Sequence, residues 1–166
     1  ENLNYFSSTL PPDYISLGYN WRMSSITAAL AISQLKKLNK LIKLRRKNAE
    51  YLSFNLKKFP EIRVPVEPKG YYHVYQLYSI ILENNKLRNN LKEFLTKKGI
   101  MSKVFFDPTH LTNFYRKKIL KKKLNLQNTE TISSRILTIP MFPGLTKQEL
   151  DYICTSIKEF IENAKQ

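Results

Sequence analysis

Apolar residues recur every three or four positions along the first third of the chain. The pattern starts after Ser24 or Ser25, either of which can cap a helix N-terminus, and stops at Pro60. It predicts one long helix over residues 24–59 with a single apolar stripe, interrupted by Arg45. The first half of this helix is rich in Ala and Ile, and we expect it to bury against something outside this chain. The stripe contains Ala28, Ala31, Leu35, Leu38, Ile42, Ala49, Leu52, Leu56 and Phe59.

The pattern changes after Pro60 to short stretches with strand character. Strands are predicted at residues 61–68, 71–82 and 100–106 and at 136–139, from their aromatic and β-branched residues. Helices are predicted in the remaining apolar-striped segments: residues 85–99 with Gly99 as C-terminal cap, a weakly helical basic segment at 111–126, a short helix before residue 136, and a last helix that opens with a Thr146–Glu149 capping box. A small sheet with helices packed on one face is an α/β or α+β sandwich.

The composition narrows the class of protein. Apolar residues make up 42% of the 166-residue chain, which is enough for a folded core. The sequence has no apolar run that could cross a bilayer and no visible secretory signal, so we expect a cytoplasmic protein with no membrane partner. A single cysteine excludes an intrachain disulfide, and one cysteine with two histidines argues against a structural zinc site. The net charge of +15 favours phosphates, nucleic acid or a membrane surface as partners, or else reflects a charged solvated surface.

An asparagine and an arginine stand just before the long helix. Asn20 and Arg22 are two positions apart, so on an extended segment their side chains point to the same side. Phosphate oxygens can accept hydrogen bonds from the guanidinium, from the asparagine amide and from the free N–H groups at the start of the helix. The alternative is that Asn20 caps a turn and Arg22 forms a surface ion pair.

The other reactive side chains have two interpretations each. His110 follows a strand on a loop, where it is either a ligand contact or an exposed histidine. His73 lies inside a predicted strand and is interpreted as structural, and Cys154 as a small buried side chain. The basic run of Lys117, Lys118 and Lys121 to Lys123 could bind a nucleotide or a nucleic acid, with nearby aromatic residues stacking on bases, or it is a solvated loop.

Five segments, in the same order, resemble the DegT/DnrJ/EryC1/StrS family of pyridoxal-phosphate-dependent aminotransferases, which act mostly on nucleotide-linked keto sugars. The segments are LGYNWRMSSITAALAISQLKKLNK, LRRKNAEYL, YYHVYQLYSIIL, KKGIMSKVFFDPTHLTNFY and ISSRILTIPMFPGLTKQELDYICTSI. The resemblance implies the C-terminal small domain of a fold-type I enzyme. It divides the chain into a loop with a cofactor-phosphate element (1–23), a long interdomain helix (24–59) and a small α/β domain (60–166).

The resemblance also implies roles for particular residues. Asn20 and Arg22 would reach the cofactor phosphate of the partner subunit in a homodimer, and His110 would lie near the sugar-nucleotide substrate. No residue matches the lysine that forms the Schiff base with pyridoxal 5'-phosphate, because family members carry it in a larger N-terminal domain. This segment alone is therefore expected to hold no catalytic residue and to be inactive.

The implied function is transfer of an amino group from an amino acid, with glutamate as the expected donor, to a nucleotide-linked keto sugar for surface polysaccharide or amino-sugar biosynthesis. Two alternatives stay open at this stage. One is a sugar dehydratase of the same family with the same cofactor. The other is a stand-alone basic nucleic-acid-binding module, which the charge favours but which no known nucleic-acid-binding motif supports.

Overall fold

The structure, a computed structural model, describes residues 18–19, 21–119 and 124–164. The chain divides into two compact units, with the boundary between Lys36 and Lys37 inside the first helix. The described residues form helices and short strands in the order α1 (Ser25–Leu56), β1 (Ile62–Arg63), β2 (Tyr78–Leu82), α2 (Asn85–Lys97), a 3-10 turn (Thr109–Leu111), a π-helical turn (Tyr115–Ile119), α3 (Gln127–Arg135), β3 (Ile136–Ile139) and α4 (Lys147–Asn163).

The long first helix confirms the prediction made from the apolar periodicity of the sequence. The Ser24 hydroxyl accepts a hydrogen bond from the Thr27 N–H at 3.3 Å, which is the expected cap, and the helix ends at Leu56. In the first unit the large apolar side chains of α1 are exposed, including Leu35 at 66%. In the second unit Ala49, Leu52 and Leu56 are buried in the core. Among the described residues, the stripe is therefore buried in its second half and exposed in its first half.

The three strands form an antiparallel sheet in the order β1-β2-β3. Ile62 pairs with Leu82 across β1 and β2, and Tyr78 pairs with Ile139 across β2 and β3. Alternate residues of β2 are fully buried, beginning with Tyr78, so one face of the sheet turns toward the core. Burial raises the pKa of the Tyr78 hydroxyl, which is hydrogen-bonded to the Ser53 hydroxyl at 2.7 Å.

The strand predictions were too long in three places. Residues 71–77 lie in a loop, so the strand predicted over 71–82 begins only at Tyr78. The edge strand predicted over 61–68 is reduced to Ile62–Arg63, and Pro65 cannot extend it because it has no N–H to donate. The strand predicted over 100–106 is a single bridge between Lys103 and Thr138.

One core joins the sheet to three helices in the second unit. Apolar residues of α1, α2 and α4 bury together with those of the sheet, and this confirms the α/β sandwich predicted from the sequence. The helix ends also follow the sequence: Gly99 has φ +73 just beyond α2, and Thr146 and Glu149 form the capping box of α4. The core side chains include Leu52, Leu56, Tyr78, Ile80, Leu82, Leu91, Leu95, Leu137, Ile139, Ile153, Ile157 and Ile161.

Candidate functional site

The segment before α1 presents its side chains to solvent. Arg22 is exposed, and the rings of Tyr19 and Trp21 stack on each other with their centroids 4.8 Å apart. Asn20, the other predicted phosphate ligand, lies outside the described residues. Within the described part of the chain, no carboxylate lies within ion-pair distance of the Arg22 guanidinium. The surface ion pair considered as an alternative for Arg22 is therefore not formed among these residues.

The start of α1 can receive an anion. Its first turn carries no acidic residue, although carboxylates are favoured at this end of a helix by its positive dipole. The Ser24 cap engages the Thr27 N–H and the Ser24 carbonyl accepts from the Ala28 N–H. The preceding N–H groups of the first turn have no intrahelical acceptor, as at every helix start. An exposed guanidinium next to such groups suits the oxygens of a phosphate.

His110 lies in the 3-10 turn after the Lys103 bridge and is buried, with only 8% of its side chain exposed. Its Nε2 is hydrogen-bonded to the Glu130 carboxylate of α3 at 2.9 Å. The Glu130 carboxylate thus fixes the orientation of the ring. In the basic run that follows, Lys117 is exposed, and Lys121 to Lys123 lie outside the described residues.

A charged cluster that the sequence did not reveal surrounds Arg46. The Arg46 guanidinium binds both carboxylate oxygens of Glu67, at 2.5 and 3.0 Å, and donates to the His73 carbonyl at 2.7 Å. The Tyr72 ring lies against the guanidinium, 4.3 Å from centroid to Cζ. The His73 N–H also binds Glu67, and the His73 Nδ1 accepts from the Tyr75 N–H, so His73 has a structural role in a loop rather than in a strand.

This cluster makes one pH-dependent prediction. The hydrogen bonds from Arg46 and from the His73 backbone lower the pKa of Glu67 to about 2. A depressed carboxylate pKa stabilises the fold above the unfolded pKa, near 4.3, and that contribution disappears as the pH falls toward 2. We expect Glu67→Gln to unfold at lower urea concentration than the parent at pH 7, and we expect the gap to narrow below pH 4.5.

The matched control for this prediction is Glu93→Gln, which removes an exposed carboxylate from α2. Its unfolding midpoint should follow that of the parent at every pH. A gap for Glu67→Gln that persists unchanged at pH 2.5 would show that the ionised Glu67 carboxylate contributes nothing through its charge.

Cys154 has no reactive character. Its side chain is half-buried on α4, and burial raises the pKa of the thiol to about 11, so it stays protonated at neutral pH.

The described ranges contain no group of three or more His, Cys, Asp or Glu side chains placed to hold a metal ion. In the same ranges, none of the helices has the length and hydropathy needed to span a membrane.

The chain matches known proteins over nearly its whole length. The model of the DegT/DnrJ/EryC1/StrS aminotransferase family matches residues 2–158. A GDP-perosamine synthase from Vibrio cholerae is 34% identical over 146 residues, which are 87% of this chain and 39% of the synthase. The chain thus spans about two fifths of the length of the curated relatives that it matches.

Solved structures share the fold. The aminotransferase TlmJ from Streptoalloteichus hindustanus superposes with a TM-score of 0.80 at 18% identity, over 93% of this chain and 41% of TlmJ. Spr1654 from Streptococcus pneumoniae, solved in its PLP form, gives a TM-score of 0.74 at 22% identity, over 91% of this chain and 39% of Spr1654.

Proposed function

Because the chain belongs to the DegT/DnrJ/EryC1/StrS aminotransferase family, we propose that it forms the C-terminal part of a pyridoxal-phosphate-dependent sugar aminotransferase. The assembled enzyme transfers an amino group from an amino acid, glutamate in this proposal, to a nucleotide-linked keto sugar for polysaccharide or amino-sugar biosynthesis. The observation that carries the proposal is the family match over residues 2–158. The similarity to a GDP-perosamine synthase supports a nucleotide-linked sugar as substrate.

The proposed contribution of this chain to the cofactor site is to bind its phosphate. Arg22 and Asn20 would hold the phosphate of pyridoxal 5'-phosphate bound in the partner subunit of a homodimer. The exposed Arg22 side chain and the first turn of α1, which lacks acidic residues, fit a phosphate dianion. When bound, the cofactor supplies the electron sink for amino transfer, and the protein groups orient it.

The proposed contribution to the substrate site centres on His110. Its ring is held by Glu130, so the Nε2 atom is already engaged. A direct hydrogen bond from His110 to the sugar nucleotide must therefore use Nδ1 or follow separation of the His110–Glu130 pair. If Nδ1 is used, Glu130 continues to set the ring orientation, as carboxylates do for many functional histidines.

The proposed place of α1 is between two domains. The exposed apolar side chains at its start, among them Ile26, Leu30 and Leu35, are the kind of surface that other polypeptide covers. In this proposal residues 24–59 form the interdomain helix, residues 60–166 the small domain, and sequence outside this chain supplies the cofactor lysine. The segment alone should then produce no amino sugar.

Product mass tests the function directly. The assembled enzyme, pyridoxal phosphate, isotopically labelled glutamate and a nucleotide-linked keto sugar are incubated, and the sugar product is analysed by mass spectrometry. Amino transfer replaces the keto oxygen with a labelled amino group and yields 2-oxoglutarate. A product that has lost one water and carries no label would instead identify the dehydratase alternative. An unchanged sugar in the presence of a range of amino donors and sugars would contradict the proposal.

A further inference from the structure

A basic cleft of about 690 Å³ lies in the second unit, between one side of α1 and the loop that precedes β2. We define it by Lys43, Arg46, Lys47, Lys57, Tyr72 and Tyr75, which all line it. Its volume is within the range of sites that hold small organic ligands, roughly 300–1,000 Å³. None of these residues is among the predicted site residues, although Arg46, Lys47, Tyr72 and Tyr75 lie in two of the segments that carry the family resemblance.

The basic cleft carries an excess of positive charge. Four basic side chains and one acidic side chain, Glu50, line it, and the Glu67 carboxylate pairs with Arg46, which leaves a net charge of four minus two, or +2. At 100° per residue, Lys47 lies roughly 40° from Lys43 and about one turn further along α1, so these two ammonium groups project from one side of the helix. Lys57 follows directly after the last residue of α1. In the described ranges none of these three lysines forms an ion pair. Such a surface is complementary to an anion with several charges.

The opposite wall presents an aromatic ring that is held in place. Tyr72 packs one side of its ring on the Arg46 guanidinium, yet 64% of the residue is exposed. Glu67 and the His73 backbone fix Arg46 in turn. Tyr75 has φ +49, an unfavourable value for a residue with a side chain, and such backbone strain concentrates at ligand sites. The wall is therefore preorganised, with a ring surface open to a planar partner.

We propose that the basic cleft binds a nucleoside phosphate, with the base stacked on Tyr72 and the phosphate groups against Lys43 and Lys47. An inorganic anion would use the lysines and leave the aromatic wall without a role, whereas a nucleotide uses both. Stacking on a tyrosine ring accepts any base, so the site selects for a phosphorylated nucleoside rather than for one base. This inference concerns binding by this chain and does not rest on the proposed function.

Equilibrium dialysis of the full chain against UDP, ADP, pyrophosphate and uridine tests the proposal. Both nucleotides should bind saturably at one site per chain, and more tightly than either pyrophosphate or uridine. Replacing both Lys43 and Lys47 by alanine should weaken UDP binding on the order of tenfold, because two charge-assisted contacts are lost. Tyr72→Ala should weaken UDP binding by a similar factor, about tenfold for one stacked base, and leave pyrophosphate binding unchanged.

Matched controls distinguish binding at this site from nonspecific attraction by positive charge and from loss of the fold. Lys86→Ala with Lys92→Ala removes two exposed lysines from α2, and Tyr71→Ala removes an exposed neighbouring ring that does not line the cleft. Circular dichroism should show the parent fold in every variant, and both controls should bind UDP as the parent does. No saturable UDP binding, or equal losses in test and control variants, would overturn the proposal. So would a single-stranded oligonucleotide that displaces UDP and loses affinity in the α2 control, because that result describes a general polyanion surface.

Discussion

Replacing Arg22 by alanine is expected to weaken the affinity of the assembled enzyme for pyridoxal phosphate roughly thirty-fold, since charge-assisted hydrogen bonds to a phosphate contribute about 2 kcal/mol. The guanidinium is exposed beside a helix start that has no acidic residue in its first turn, so no acidic side chain of that turn competes for it. The affinity is measured by titrating cofactor into apoenzyme and following its absorbance.

Two further variants make the Arg22 result specific. Arg22→Lys keeps the charge but loses the planar fork, and we expect its affinity to fall between those of the parent and of Arg22→Ala. Arg63→Ala removes an exposed arginine from β1 and should leave cofactor affinity unchanged. Equal affinities of the parent and Arg22→Ala would remove Arg22 from the phosphate site.

The helices were predictable because their signals are local. A stripe at intervals of three and four residues, a serine or threonine cap and a glycine after the last turn lie within a few residues of the helix ends that they determine. α1, α2 and α4 therefore follow the sequence closely, and the capping box of α4 has the predicted partners, Thr146 and Glu149. The sequence also led us to expect that the first half of the apolar stripe buries against something outside this chain, and in the structure the stripe is exposed at Leu35 and buried at Leu52.

The loop before β2 was predicted wrongly because the contacts that shape it are distant in sequence. Its aromatic and β-branched residues are typical of a strand. Arg45 and Arg46, about thirty residues earlier in the chain, instead bind its carbonyl groups and Glu67. Residue composition contains no information about these distant contacts, so the strand was predicted to begin at residue 71.

The site residues were named from local sequence patterns, and their roles stay predictions. The structure shows that Arg22, in the N-x-R pattern before the helix cap, is exposed. The pairing of His110 with Glu130 joins residues twenty apart through the fold, and the sequence, which gave His110 as a substrate contact or an exposed loop histidine, did not indicate this partner. The basic cleft could not be predicted from the sequence, because its lysines and its aromatic wall come from separate segments of the chain.

Arg45 interrupts the apolar stripe, and replacing it is expected to lower the stability of the fold more than the other substitutions proposed. Its Nη1 donates to the backbone carbonyls of Tyr75, Gln76 and Met141, each at 3.1 Å. One side chain thus joins α1 to the loop before β2 and to the segment after β3. Replacing Arg45 by methionine keeps much of the apolar stem and removes these donors, and we expect the free energy of unfolding to fall by about 2–3 kcal/mol. Urea unfolding followed by circular dichroism measures the change.

Two comparisons show whether the donors or the positive charge stabilise the fold. Arg45→Lys keeps the charge but offers an ammonium on a shorter, differently shaped group, so it should recover only part of the loss. Arg63→Met removes an exposed arginine from the same unit and should leave the unfolding midpoint nearly unchanged. If Arg45→Lys were as stable as the parent, positive charge alone would suffice at this position. If Arg45→Met were as stable, water would satisfy the three carbonyls equally well, and the interruption of the stripe would have no structural cause.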